Sequence, residues 1–447
     1  MTNNLPSESS DNRPSAVAVS LKPSGVPWLG DIPAGWGIER GKAILSPLKR
    51  PIRDEDEIVT CFRDGEVTLR KNRREDGFTV AEKEIGYQGV EKGDLVVHGM
   101  DGFAGSIGVS DSRGKASPVL IVLDSTEDKR YLMYYLRSLA LCDVFVSLST
   151  GIRERSCDLR WNKLGSIPYL LPPLPEQRAI ADFLDERCAA IDAIVEEAKA
   201  GIEEYAKWKQ SVVFEAVTKG LSPHAKMKDS GVEWIGEVPS DVDIIPLRFL
   251  IEGYKAGPFG SALITDNLLS TGTILVYTPE HIARRRVDLE KNLFLPECRL
   301  DEMSQFLVRP GDIIFPIVGS LGRAMLISPE MPTGIINQRL AKFQLRTERI
   351  DTEYFMWLFA KSGFFKQHIE VVSRGSIIVN LTKSIVGDMP VPIPSLPEQR
   401  AIAAYLDEKC SSIDALIEEK KNLIEDLGTY KKSLIYETVT GKRRVAG

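Results

Sequence analysis

The side chains with the most chemistry to offer are clustered arginines. Arg70-Lys71-Asn72-Arg73-Arg74 forms one run. A glycine-rich stretch from Gly99 to Gly108, which includes Gly102 and Ser106, is followed by Arg153, Arg155 and Arg160. Further along lie Arg284-Arg285-Arg286, Gly319-Ser320-Leu321-Gly322-Arg323, Asn337-Gln338-Arg339 and Arg374-Gly375-Ser376. A guanidinium fork matches the acceptor edge of guanine and the oxygens of a phosphate, while side-chain amides match adenine. Glycines let a loop approach a nucleic-acid backbone. A triple-arginine stretch standing alone is more often solvated surface, and it is the parallel placement of clusters in both halves that strengthens the DNA-contact reading. The candidate DNA contacts are therefore a set: Arg70, Lys71, Arg73, Arg74, Gly102, Ser106, Arg153 and Arg155 in the first part of the chain, and Arg284, Arg285, Arg286, Ser320, Arg323, Gln338, Arg339, Arg374 and Ser376 in the second.

Catalytic patterns are missing. The chain has no G-x-x-x-x-G-K-[ST] phosphate loop, no N-P-P-[YF] tetrapeptide and no dinucleotide fingerprint after a strand. Glu197-Ala-Lys199 and Glu418-Glu-Lys420 have the carboxylate–lysine end of a nuclease motif, but no paired upstream aspartate, and read as helix-surface charge. His98, His224, His281 and His368 are scattered, and six cysteines (Cys61, Cys142, Cys157, Cys188, Cys298, Cys410) form no C-x-x-C pair. Neither an acid–base pair, a zinc site nor a disulfide framework is expected, and free thiols suit a reducing cytoplasm. The sequence reads as a binder with no catalytic, metal or cofactor residues of its own.

The chain has 447 residues, enough for about three domain-sized units. With 43% hydrophobic and 27% charged side chains it is not a disordered chain. No run of about 18 apolar residues is present, so no membrane span is expected. Residues 1–20 are polar and read as a disordered leader. The net charge of −6 argues against a nucleic-acid partner until its distribution is examined.

The elements that would position the arginines are written twice. Leu174 to Thr218 aligns without gaps on Leu396 to Thr440, with 25 identities in 45 positions and LPEQRAIA at the start of each copy. A shorter repeat precedes each half: Lys22 to Pro33 (KPSGVPWLGDIP) matches Lys228 to Pro239 (KDSGVEWIGEVP) at seven of twelve positions. Weak echoes persist between. Lys92-Gly93-Asp94-Leu95 resembles Pro310-Gly311-Asp312-Ile313, each followed by a G-x-x-G (Gly102/Gly105, Gly319/Gly322), and Tyr131-Leu-Met-Tyr resembles Tyr354-Phe-Met-Trp. The order is motif, variable block, helical block, then all three again, the second block about 16 residues longer. Short β-branched and aromatic runs (Asp94–His98, Val119–Leu123, Thr273–Tyr277, Asp312–Val318) predict strands, and 128–141 and 351–370 have helical spacing. Trp28, Trp36, Trp161 and Trp234 read as core.

Pro175 and Pro397, each followed by Glu, mark helix starts. From there a seven-residue repeat runs through Leu184, Cys188, Ile191, Val195, Ala198, Ile202, Tyr205, Lys209, Val212 and Ala216. In the second copy it runs through Leu406, Cys410, Ile413, Ile417, Lys420, Ile424, Leu427, Lys431, Leu434 and Thr438. That is a coiled-coil seam. Chain order favours antiparallel pairing of the two helices; Gly201 and a break near Asp185 are the weak points of a continuous first helix. The helical segments 174–218 and 396–440 carry −5 and −3, leaving +2 for the rest. The acidity belongs to the helices, and the variable blocks are free to meet DNA.

These motifs together (W-[LI]-G-[DE]-[IV]-P at Trp28–Pro33 and Trp234–Pro239, the G-D-[LI] turns, and P-E-Q-R-A-I-A entering a long helix) resemble the specificity subunit of Type I restriction–modification enzymes, over about residues 20–445. The resemblance implies an α+β fold: two mixed α/β target-recognition domains joined by two long helices in an antiparallel coiled coil, an internal duplication with pseudo-twofold order. It implies a disordered leader (1–20), recognition domain 1 (21–173), a central helical spacer (174–220), recognition domain 2 (221–395) and a C-terminal helical region (396–447). It further implies a cytoplasmic, non-catalytic subunit that reads a bipartite site in double-stranded DNA. Two methyltransferase subunits would dock on it and restriction subunits would join the full complex, with S-adenosylmethionine and ATP/Mg on those partners. One departure stands out: Trp36 follows the first motif, whereas Val242 and Asp243 occupy the second copy's place. The competing reading is a two-lobed protein-binding scaffold without DNA reading.

Overall fold

The twelve-residue repeat folds into the same hairpin twice. Leu21–Pro23 pairs antiparallel with Asp31–Pro33, and Met227–Asp229 with Glu237–Pro239. Gly30 and Gly236, just before the second strand in each hairpin, hold φ of +67° and +74°, a left-handed conformation that penalises any Cβ. In the computed structural model the described residues are 20–73, 84–147, 159–259, 263, 268–288, 291–319, 322–372 and 381–445. The leader lies outside them, apart from its last residue.

Each variable block contains a four-stranded antiparallel sheet of one topology. In the first, the order is Leu45–Pro47, Leu120–Ser125, Leu95–His98, Ile107–Val109. In the second it is Ile251–Ala256, Leu340–Leu345, Ile313–Pro316, Met325–Leu326. The inner strands are apolar and buried on both faces (Leu95, Val96, Val97; Ile313, Ile314, Phe315), as strands covered on both sides must be. The helix Lys129–Leu141 packs on the first sheet, with an Asp128 carboxylate capping its first turn. Its counterpart is interrupted: Thr352–Met356 runs into a wide π-turn, Trp357–Lys361, and resumes at Phe364–Val372 after Gly363. The single helix expected over 351–370 is therefore three pieces. The predicted strands appear within one or two residues of their expected bounds at Leu95–His98, Leu120–Ser125, Ile274–Tyr277 and Ile313–Pro316.

The repeated helical blocks are continuous α-helices, Leu174–Lys219 and Leu396–Val439, unbroken at Asp185 and at Gly201. Every expected seam residue is buried or half-buried in both helices. The chain divides into two units, one of residues 1–198 and 422–447, the other of 199–421. Each unit thus holds one variable block, half of the first helix and half of the second, and in both the two helical halves run antiparallel. In unit 1, Lys431 donates to both oxygens of Asp192 at 2.6 Å. In unit 2, Lys209 donates to Asp414 at the same distance. These are repeat-equivalent residues pairing reciprocally, which explains lysines at seam positions; the aspartates are more than half exposed, so each pair contributes at most about 1 kcal/mol.

Buried polar residues of the repeat lock each block to its helices. Gln177 accepts the Asp128 N–H at 3.0 Å and donates to the Pro172 carbonyl at 2.8 Å. Gln399 does the same to Asp351 (2.7 Å) and Pro394 (2.9 Å). The Tyr131 hydroxyl donates to the Leu170 carbonyl and lies 3.3 Å from that of Val439; Tyr354 meets Pro392 and Val217 likewise. Asp185 accepts from the Tyr134 hydroxyl (2.7 Å), and Asp407 from the Trp357 indole (2.9 Å). Gln177, Gln399, Tyr131 and Tyr354 are buried, and leaving such groups unpaired costs about 1–3 kcal/mol each, whereas Asp185 and Asp407 are partly or largely exposed. The departure at Trp36 is local: its indole donates to Glu176 at 3.1 Å. In unit 2 Val242 is buried, and burial, with Asp241 nearby, raises the pKa of Glu398 above its ordinary value.

The blocks differ in what is inserted, in chain order, between the first and second and between the third and fourth strands of their sheets. Unit 1 inserts a hairpin, Val59–Cys61 with Val67–Leu69, and a second ladder, Gln88–Val90 with Gly114–Ala116, over a small core. Unit 2 inserts a three-stranded sheet, Phe294–Leu295, Ile274–Tyr277 and Gly334–Ile336, with a larger core of its own. Among the described residues no helix is long and apolar enough to cross a membrane.

Candidate nucleic-acid interface

Gly99 and Ile317, each shortly before a G-x-x-G in the sequence, occupy equivalent places at the end of the two sheets. In unit 1, the Gly99 N–H donates to the Val119 carbonyl (2.8 Å), and the Leu159 N–H to that of Gly99 (2.9 Å). In unit 2, Ile317 donates to Arg339 (2.9 Å) and Leu381 to Ile317 (3.0 Å). Three segments distant in sequence are thereby drawn together at one sheet end in each unit. Strand alternation aims the apolar side chains into the core, and the connecting loops carry the polar ones.

In unit 1 this end is a cleft of 790 Å³, walled by the inserted hairpin on one side and by the loop after His98 on the other. It brings together three sequence candidates: Arg70, Arg73 and Ser106. Arg70 donates through Nε to the Thr60 hydroxyl at 3.3 Å. Arg73 is held by Asp64 and by Glu66 (3.1 Å), with its guanidinium 4.4 Å from the centre of the Phe62 ring. Its charge is compensated from within the protein. Lys71 is likewise paired with Glu57 at 2.5 Å. Ser106 is buried, and among the described residues its hydroxyl has no hydrogen-bond partner. Gly102 turns inward: a Cβ there would lie 2.6 Å from the Leu159 side chain, so core packing and not a duplex backbone demands glycine.

The cleft also contains residues the sequence did not single out. His98 accepts the backbone N–H groups of Asp101 (2.9 Å) and Met100 (3.3 Å) on Nδ1. Burial lowers its pKa below 6.5, against the opposing pull of Asp101. Arg63 meets Asp101 at 3.3 Å. Cys61 lines the cleft, and burial pushes its thiol up to about 12, which removes it as a nucleophile. The signal for His98 was its position at a strand end just before the glycine-rich loop. For Arg63 and Asp101, 38 residues apart, no local signal exists.

In unit 2 the corresponding end presents Arg339, exposed, with a guanidinium nitrogen 3.1 Å from where a Cβ on Gly319 would sit. Gln338 is turned back to donate to the Leu263 carbonyl at 3.0 Å. Gly257 passes so close to the Asn337 carbonyl that any side chain would overlap it. Arg323 is exposed, and the neighbouring Gly322 faces Lys366. The triple-arginine run belongs to the inserted subdomain, at the end of the helix Pro279–Arg284. Arg284 pairs with Glu280 and Arg286 with Asp288, each at 2.9 Å. Arg285 holds a φ of +52°. Among the described residues the side chains of Arg285, Arg323 and Arg339 enter no ion pair, which leaves three cations for an outside anion or base edge. Arg74, Arg153, Arg155, Ser320, Arg374 and Ser376 lie outside the described residues. Among the described residues no group of His, Cys, Asp and Glu is placed to hold a metal ion.

Comparison with known proteins gives this arrangement a context. Residues 260–426 match the family model described as the Type I restriction modification DNA specificity domain. The Type I restriction enzyme MjaVIII specificity subunit of Methanocaldococcus jannaschii is 26% identical over 309 residues, 68% of each chain. A putative type I restriction enzyme MjaX specificity subunit of the same organism is 23% identical over 421 residues, 85% of this chain and 87% of the other. Among solved structures, a chain from a study of complex assembly and conformational transition of the type I R-M system superposes with a TM-score of 0.69 at 14% identity, covering 92% of this chain and 99% of that one. The HsdS subunit of Thermoanaerobacter tengcongensis superposes with a TM-score of 0.50 at 15% identity, covering 92% and 98%.

Proposed function

We propose that this chain, which belongs to the family of type I restriction–modification specificity subunits, reads a bipartite site in double-stranded DNA, unit 1 contacting one half and unit 2 the other. The observation that carries this reading is the pairing of sameness with difference. Two sheets share one strand order and one set of converging segments, yet the side chains presented there and the inserts beside them are unlike. A frame that must hold DNA in one way, and read it in two, has that character. The long helices act as the spacer between half-sites. The chain itself is non-catalytic and works in the cytoplasm.

The chemistry belongs to partners: two methyltransferase subunits carrying S-adenosylmethionine, and restriction subunits using ATP and Mg. Support for a doubled protein partner comes from exposed apolar side chains at repeat-equivalent helix positions, Ile194 with Leu416 and Trp208 with Tyr430, which solvation alone does not favour. The same patches sustain the second reading, a scaffold that binds two copies of a protein and ignores DNA. Two measurements separate the readings. Methylated bases are mapped by single-molecule sequencing in a host carrying this subunit with its methyltransferase. A two-part motif is expected, and methylation independent of this subunit would refute the reading. Binding of the assembled complex to duplex should weaken steeply with salt, log Kd changing by about 0.9 per phosphate contact for each decade of salt; a flat response favours the scaffold.

A further inference from the structure

The unit 1 cleft contains a donor–acceptor–donor constellation that the proposed reading leaves unassigned. Arg63 reaches into solvent with 72% of its side chain exposed, and Asp101 contacts its Nη2 at 3.3 Å. His98 stands 3.9 Å from the other Asp101 oxygen, too far for a hydrogen bond. Because His98 Nδ1 accepts two backbone N–H groups, the proton of the neutral ring is assigned to Nε2. That nitrogen is a donor held by the loop and not satisfied by Asp101.

A bare arginine on such a surface would suit a phosphate as well as a base. The neighbouring carboxylate decides between them. Asp101 repels a phosphate approaching Arg63, whereas a base pair in the major groove offers both acceptors and amino donors, matching a guanidinium beside a carboxylate. The pairing also holds the fork in place before DNA arrives, which lowers the entropy lost on binding. We infer that Arg63, Asp101 and His98 are specificity-determining residues of unit 1, Arg63 taking the O6/N7 edge of a guanine while Asp101 accepts from an adjacent base amino group. This rests on the DNA-reading role proposed above.

The test uses the full chain assembled with its methyltransferase subunits, acting on a library of duplexes randomised across both half-sites. Arg63→Lys keeps the charge and discards the fork. It is expected to relax preference about ten- to hundredfold at one or two adjacent base pairs of one half-site. The other half-site and the salt slope should stay unchanged. Asp101→Asn should relax the same half-site at the same or the neighbouring position. Arg63 is exposed enough for its variants to melt as the parent does, which separates reading from folding. An Arg63→Ala complex that keeps its base preferences and loses about one phosphate's worth of salt dependence would make Arg63 a backbone contact and overturn the inference. So would unaltered preferences in both variants. If the parent complex itself shows no two-part site, the DNA-reading role falls and this inference with it. A two-part site indifferent to Arg63 and Asp101 defeats the inference alone.

Discussion

Unit 1 and unit 2 share a frame and differ in what it holds. The hairpin of the repeated motif, the sheet order, the buried Gln177 and Gln399, and the tyrosines bridging block to helix recur with nearly the same partners. The inserts have no common design: a hairpin over a small core in unit 1, a three-stranded sheet with a separate core in unit 2. Even the sheet-end chemistry diverges. Unit 1 walls its cleft with internally paired charges, Arg63 with Asp101 and Arg73 with Asp64, whereas Arg323 and Arg339 of unit 2 enter no ion pair among the described residues. Sequence identity therefore follows the helices and hairpins that set geometry, and divergence is concentrated in the inserts and at the sheet ends.

The comparison can be broken most forcefully in the shared frame. Leu184 and Leu406 are repeat-equivalent and fully buried, so Leu184→Ala and Leu406→Ala should each cost about 2–5 kcal/mol by chemical denaturation. A large loss from one and none from the other would show that the frames are not equivalent. Gln177→Ala and Gln399→Ala should follow, at roughly 1–3 kcal/mol each.

Acid sharpens the contrast. Burial lowers the pKa of His98 in unit 1 and of both His281 and His368 in unit 2 below 6.5. The unfolded chain takes up protons first as pH falls through 6.5, while the folded histidines stay neutral, so stability is lost downward from that pH. Hydrogen exchange between pH 7.5 and 5 should show greater loosening in unit 2; equal loosening would contradict the assignment. The smallest effect is expected at Gly201, where an added Cβ meets only the flexible end of Lys420. Gly201→Ala should gain up to about 1 kcal/mol of helix stability, read from thermal unfolding.

The repeated ends were legible because the seven-residue spacing is a geometric statement. Once Leu184, Cys188 and Ile191 share a face, their burial follows, and the second copy repeats it. The partners of the LPEQR glutamine were not legible, since Asp128 and Asp351 lie 49 and 48 residues away and only the folded block brings their N–H groups to the helix start. Counting arginines found Arg70 and Arg73 at the cleft but could not show that Arg73 is neutralised by Asp64 and Glu66. It passed over Arg63, a lone arginine whose significance depends on a carboxylate across the cleft. The helix expected over 351–370 is broken at Gly363, whose φ of +74° ends a right-handed turn, and because the apolar spacing continues through that glycine the break was not legible.

The central claim is that the two units read separate parts of one duplex. It is tested most directly by mapping methylated sites for Arg63→Ala and Arg323→Ala side by side with the parent complex. Each variant should relax a different half of the same two-part motif and leave the other half intact. Relaxation of the same half by both, or a uniform loss across the whole motif, would contradict it.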